Sequence, residues 1–271
     1  MTLLAHDRSG PVGDLPLLLL HAGVADRRMW DGGVWETLTG HRDVVRVDLR
    51  GFGDSSERPD GALAPWRDVL AVLDHLGAER VHVVGASFGA GVGVEVALAE
   101  PDRVASLLLA APGGSLIPAM TGQLRAFAQA EDAALEAGDL DAAVAANVLT
   151  WVDGPDREQS RVPAEVRDRV AVMQRRAFEL TADWEDVEED ELDPAALDRL
   201  AELGVPTLVL SGGLDLDAIG DAADAVESGV PGSRRVDWPD VAHLPSMERP
   251  DDFAALVLGW LGEVEATPTG E

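Results

Sequence analysis

The 271-residue chain sets 50 Asp and Glu against 21 basic residues, for a net charge of −29, and contains no cysteine. That balance speaks against a nucleic-acid partner, whose phosphates need a basic surface, and the missing thiols exclude cysteine nucleophiles, thiolate metal centres and disulfide frameworks. No run reaches the ~20 apolar residues of a membrane span and "MTLLAHDRSG" has no leader pattern, so a soluble, cytoplasmic protein with no membrane partner is expected.

Residues 15–23, "LPLLLLHAG", form a continuous apolar run ending in Gly, the pattern of a strand buried on both faces. A helix over 29–38 follows, then "DVVRVDLRGFGDS" (43–55), a strand running into a Gly-rich loop. Residues 65–76 predict a helix, with Pro65 at its start and Gly77 just past its end. "RVHVVG" (80–85) is the next strand, 88–99 a helix that stops before Pro101, and "RVASLLLAAP" (103–112) a further strand. From about 115 to 200 the chain is rich in Ala, Glu, Asp and Arg at helical spacing, with no strand-like run. The alternation resumes with "VPTLVLSGG" (205–213), a helix at 217–228, a strand at 233–239 and a final helix at 251–262.

This order predicts an α/β fold with a doubly wound, mostly parallel sheet. Residues 1–114 and 201–271 form its core, and 115–200 form an inserted helical cap. The cap is expected above the carboxyl ends of the strands, where open α/β sheets bind ligands.

Gly85-Ala86-Ser87-Phe88-Gly89 fits G-x-S-x-G between a strand and a helix. The glycines relieve crowding at a sharp turn, and the helix aims free N–H groups at the serine. A Gly-rich turn with an N-capping Ser explains the same five residues equally well. A phosphate-binding loop does not, because the chain has no Lys.

A serine nucleophile needs a base. Of six histidines, His243 in "WPDVAHLPSMERP" lies in a loop after the last strand, on the edge where Ser87 emerges. His82 sits inside a strand as a packing residue, and His21 ends a strand where it can shape the next loop. The base needs a carboxylate in turn. Asp215 in "LVLSGGLDLD" follows a strand end on the same edge, Asp217 is its close rival, and Asp240 is weaker. Two N–H donors are needed for an oxyanion: that of Phe88 and one from "HAGVAD", with Gly23 preferred over its neighbours Ala22 and Val24.

With "LLLLHAG", "DLRGFGDS", "GASFGAG", "LVLSGGLD" and "VAHLPSMERP", the chain resembles the α/β-hydrolase fold family over residues 15–112 and 203–263. The likeness is to its capped, esterase- or lactonase-like serine hydrolases. It implies a catalytic set of Ser87, Asp215 and His243 in the family's order, with the oxyanion held at Gly23 and Phe88. The chain departs from the family's frequent His-Gly at His21-Ala22, and its leading β-hairpin is short. Serine at the elbow sets it apart from epoxide hydrolases and haloalkane dehalogenases. The "GGLDLD" loop lacks the Arg that carbon–carbon hydrolases often carry.

Trp151, Phe178 and Trp184 in the cap, with Val24, Met120, Leu244 and Met247, are the candidates for an apolar substrate pocket; cap core explains any one of them more simply. Arg175 and Arg176 read as a solvated helix face. The expected activity is cleavage of a small ester, lactone or thioester through an acyl-enzyme, with no metal and no cofactor. Alternatives are an acyltransferase or thioesterase served by a carrier protein, a carbon–carbon hydrolase or perhydrolase, and a ligand-binding receptor. A homodimer is compatible with the sequence. The all-Arg basic set and the absence of Lys and Tyr point to a GC-rich, actinobacterial genome.

Overall fold

The computed structural model describes residues 2–13, 15–155 and 161–266. Within them lies one sheet of seven strands: β1 (His6–Ser9), β2 (Leu17–Leu20), β3 (Val44–Val47), β4 (Val81–Ala86), β5 (Val104–Ala110), β6 (Thr207–Gly212) and β7 (Arg234–Trp238). The spatial order is β1-β3-β2-β4-β5-β6-β7. All neighbours are parallel except β1, which runs antiparallel to β3. Helices α1 (Val34–Thr39), α2 (Pro65–His75) and α3 (Phe88–Ala99) each follow a strand, and α4 (Gly122–Glu136), α5 (Leu140–Asn147) and α6 (Ala164–Thr181) fill the stretch read as a cap. Helices α7 (Asp217–Gly229), α8 (Pro245–Glu248) and α9 (Pro250–Ala266) come after β6.

The four leucines of β2 show why both faces must be covered. Successive side chains of a strand point to opposite faces. Leu17 and Leu19 therefore pack with Val34, Phe253 and Val257 of α1 and α9, while Leu18 and Leu20 pack with Val69, Val92 and Val226 of α2, α3 and α7. An apolar run with no alternation is what such a position demands.

Three stretches refine the expected elements. The helix read over 29–38 is split into a 3₁₀ turn (Arg27–Trp30) and α1, because Gly32 and Gly33 take φ of +83° and +130°, outside any helix. The strand read from 43 ends at Val47, and the following loop folds back on Asp48. That carboxylate accepts the N–H groups of Arg27 (2.7 Å) and Asp54 (2.8 Å), and a Cβ on Gly53 would strike it. Last, α5 runs on into a π-helical turn, Val148–Asp153, a local widening of the kind often found at functional sites. Beyond α6 the chain is tied to the loop before α2, with Leu63 N–H donating to Glu188 C=O (2.7 Å) and Asp190 N–H to Leu63 C=O (2.8 Å). A 3₁₀ stretch, Ala196–Glu202, then buries Ala196 and Leu200 with the α2, α3 and α7 side of the core. No helix among the described residues is long and apolar enough to cross a membrane.

Candidate active site

Ser87 stands between β4 and α3 with φ +50° and ψ −114°. A non-glycine residue held at positive φ costs of order 1–3 kcal/mol, which the surroundings must impose. They do so by packing backbone on backbone. A Cβ on Gly85 would lie 2.6 Å from the Cα of Ala90, and one on Gly89 would lie 2.5 Å from the carbonyl oxygen of Leu20. The Ser87 N–H donates to Ala110 C=O (2.9 Å), pinning the turn to the end of β5.

His243 and Asp215 arrive at the same edge from the loops after β7 and β6. The His243 Nδ1 is 2.7 Å from Asp215 Oδ2, and its Nε2 is 2.6 Å from Ser87 Oγ. Both side chains are only 2 % exposed. A carboxylate can only accept, so Nδ1 carries the proton and Nε2 presents a lone pair to the serine hydroxyl. The second oxygen of Asp215 accepts the N–H of Leu216 (2.8 Å), which fixes the carboxylate's orientation. Trp151, on the π-helical turn, sets its ring 4.4 Å from the imidazole.

That turn is fastened to the histidine's own segment. Arg161 donates to the carbonyls of Val152 (2.6 Å) and Asp153 (2.9 Å) and pairs with Glu248 of α8 (2.5 Å). Glu248 also accepts the Ala242 N–H (2.8 Å). Burial raises the Glu248 pKa and the Arg161 hydrogen bond opposes the rise.

His21 is wholly buried and braces the opposite loop. Its Nδ1–H donates to Ala22 C=O (2.8 Å) and its Nε2 accepts the Leu49 N–H (2.9 Å), so the ring is neutral. Burial lowers its pKa, opposed by the Ala22 hydrogen bond. This brings Gly23 against the elbow, where a Cβ on it would sit 3.5 Å from that of Phe88. Phe88 opens α3, so its N–H has no helical acceptor.

A cavity of about 270 Å³ lies over Ser87 and His243, lined by Gly23, Val24, Trp151 and Phe178, and by Phe127, Glu131, Asn147 and Gln174. Four candidate pocket residues lie outside that lining. Met120 is 53 % exposed on the approach to α4, and Trp184 packs over Gly51, where a Cβ would be 3.1 Å from its ring. Leu244 and Met247 turn into the core as the chain enters α8. Asp217, the rival carboxylate, begins α7 and ties it to the start of α4: it accepts from Thr121 Oγ1 (2.6 Å), and its N–H donates to Gln123 (3.0 Å). Asp240 pairs with Arg249 (3.2 Å). His82 hydrogen-bonds Ser106 (2.8 Å) inside the sheet. Among the described residues no group of three or more His, Asp or Glu is placed to hold a metal.

Sequence reasoning missed Phe127, Glu131, Asn147 and Gln174. The pairs Phe127/Glu131 and Gln174/Phe178 are each four apart and so share a helix face, a signal that becomes specific only when the docking of α4 and α6 is known. It also missed Gly113, where a Cβ would come within 2.9 Å of Ser87 Oγ. Its φ of −144° suits alanine. Gly113→Ala is therefore expected to fold with a near-normal melting temperature while losing about tenfold to hundredfold in kcat/KM, measured with any turned-over substrate. Unchanged kinetics would show that Ser87 does not need this clearance.

The family model of the alpha/beta hydrolase fold matches residues 16–250. RutD of Azorhizobium caulinodans, to which a carbamate hydrolase activity is ascribed, is 28 % identical over 262 residues, 92 % of each chain. A hydrolase from Pseudomonas aeruginosa superimposes with a TM-score of 0.75 at 28 % identity, covering 96 % of this chain and 94 % of that one. A thermophilic esterase from Thermogutta terrifontis gives 0.75 at 26 % identity, over 96 % and 93 %.

Proposed function

Since the chain belongs to the alpha/beta hydrolase fold family and is a hydrolase of that fold, we propose that it is a serine hydrolase that cleaves small carboxylic esters, lactones or related acyl compounds through an acyl-enzyme on Ser87. The observation that carries this reading is the hydrogen-bonded line from Asp215 through His243 to Ser87. His243 Nε2 takes the Ser87 proton as Oγ attacks the carbonyl carbon, and the Phe88 and Gly23 N–H groups receive the oxyanion. The imidazolium then gives its proton to the leaving group, and deacylation repeats the sequence with water as nucleophile. Asp215 holds the tautomer throughout. Trp151, tilted beside the ring, shields the imidazole from water on that side.

The cavity, about 270 Å³, falls just below the ~300–1,000 Å³ typical of ligand pockets and favours a compact substrate. Carbamates and esters, for which that relative and that neighbour are named, are carbonyl compounds that suit this chemistry. Stopped-flow assay of 4-nitrophenyl esters and carbamates should give a burst of 4-nitrophenol equal to the enzyme, followed by slower turnover. A burst that survives in Ser87→Ala, or turnover there within about tenfold of the wild-type rate, would overturn the acyl-enzyme assignment.

A further inference from the structure

Three polar residues, Glu131, Asn147 and Gln174, share the lining of the cavity with Ser87 and His243. Asn147 Nδ2 spends its hydrogens on Glu131 (2.5 Å) and the Ala143 carbonyl (3.0 Å), so what it has left to offer is an acceptor. Gln174 is 5 % exposed, and its Oε1 is buried with no hydrogen-bond partner. An orphaned acceptor of this kind costs about as much as a lost hydrogen bond unless something fills it. Glu131 adds a carboxylate. None of the described residues lining the cavity is Arg or Lys, and among the described residues no ion pair to Glu131 is formed. Burial raises the Glu131 pKa, and the Asn147 hydrogen bond, the group's protein partner, only partly offsets it. Around these acceptors stand the rings of Phe127, Trp151 and Phe178, the first two in edge contact at 5.1 Å.

Three acceptors, one of them anionic, beside aromatic faces and without a counter-charge lack a compact cation with several N–H donors. We propose that Glu131, Asn147 and Gln174 form a subsite for an ammonium group, so that the substrate is an ester or related acyl compound whose acyl or alcohol part ends in a primary amine. The word ester rests on the hydrolase reading; the ammonium subsite does not. An ammonium here makes charge-assisted hydrogen bonds to the carboxylate and the two amide oxygens and lies against π faces. The chain's net charge of −29 draws such cations toward the protein at low ionic strength.

The test uses the full chain and pairs of 4-nitrophenyl esters in which the terminal ammonium of an amino-acyl chain is replaced by methyl, over a series of chain lengths. Matched pairs carry the amine on the alcohol side. At the best length the ammonium member is preferred by about tenfold to hundredfold in kcat/KM at low salt, the range of a charge-assisted hydrogen bond. Glu131→Gln, which keeps shape and acceptor but not charge, lowers that ratio about tenfold, and Gln174→Leu lowers it as well. Calorimetry on Ser87→Ala gives the same order without turnover: an alkylammonium binds more tightly than the matching alkanol, and Glu131→Gln removes the difference. Equal use of both members at every length, or a ratio untouched by both cap substitutions, overturns the proposal. Equal use of the N-acetylated amine also overturns it, in favour of a neutral donor. Ammonium binding without turnover of any ester supports the subsite and sinks the hydrolase reading. Turnover at Ser87 with no ammonium preference does the reverse.

Discussion

Ser87→Ala is expected to lower kcat by about a millionfold while the protein keeps its fold. The hydroxyl is the group that forms and breaks the bond to the acyl carbon, and among the described residues lining the cavity no second hydroxyl or thiol stands ready to replace it. Its removal leaves the cavity, the Phe88 and Gly23 N–H groups and His243 in place. A residual acceleration of about a thousandfold to ten-thousandfold over water is therefore expected, from binding and oxyanion contacts alone. The backbone at residue 87 stays at positive φ, held by the Gly85 and Gly89 approaches rather than by the hydroxyl, so the melting temperature should barely move. A loss of activity accompanied by a collapse in thermal stability would mean that the serine is structural.

Asp215→Asn should cost about ten-thousandfold in kcat, and Asp217→Asn no more than a few-fold. The reason lies in which oxygen each neighbour holds. Leu216 N–H donates to Oδ1 of Asp215, so an asparagine there keeps its oxygen on that side and turns its NH₂ toward His243 Nδ1. The imidazole must then accept at Nδ1 and carry its proton on Nε2, where it faces Ser87 as a donor and cannot take a proton. Asp217, two residues on, meets Thr121 Oγ1 and the Ala218 N–H, both of which donate. An asparagine oxygen serves them almost as well, and neither contact touches the imidazole. Steady-state kinetics of the two variants, measured side by side, separates the roles. A large loss in Asp217→Asn with an active Asp215→Asn would reverse them.

Much of the fold was legible because local and global demands agree. The unbroken leucines of β2 fit a strand buried on both faces, and Gly85 and Gly89 fit a turn where backbone meets backbone. Ser87, Asp215 and His243 could be placed on one sheet edge from topology, since each follows a strand. The stretch from 115 to 200 was less legible. Trp151 and Trp184 look alike in sequence, yet the first stands against His243 from a π-helical turn that no spacing announced, and the second covers Gly51. Leu244 and Met247 flank His243 in the chain but enter the core, because α8 begins at Pro245 and turns them inward. Glu131 and Gln174 read as ordinary polar positions on helix faces; only the docking of α4 and α6 over the sheet brings them to one cavity. The choice between Asp215 and Asp217 hung on where α7 starts, and helix ends are the least certain part of any sequence reading.

Covalent labelling reads directly whether Ser87 is the nucleophile. Incubating the full chain with a fluorophosphonate and mapping the adduct by peptide mass spectrometry should give one label per chain, on Ser87. The label should be absent from Ser87→Ala and form far more slowly in His243→Ala, where the base is gone. A label on another residue, or one that persists in Ser87→Ala, would contradict the account.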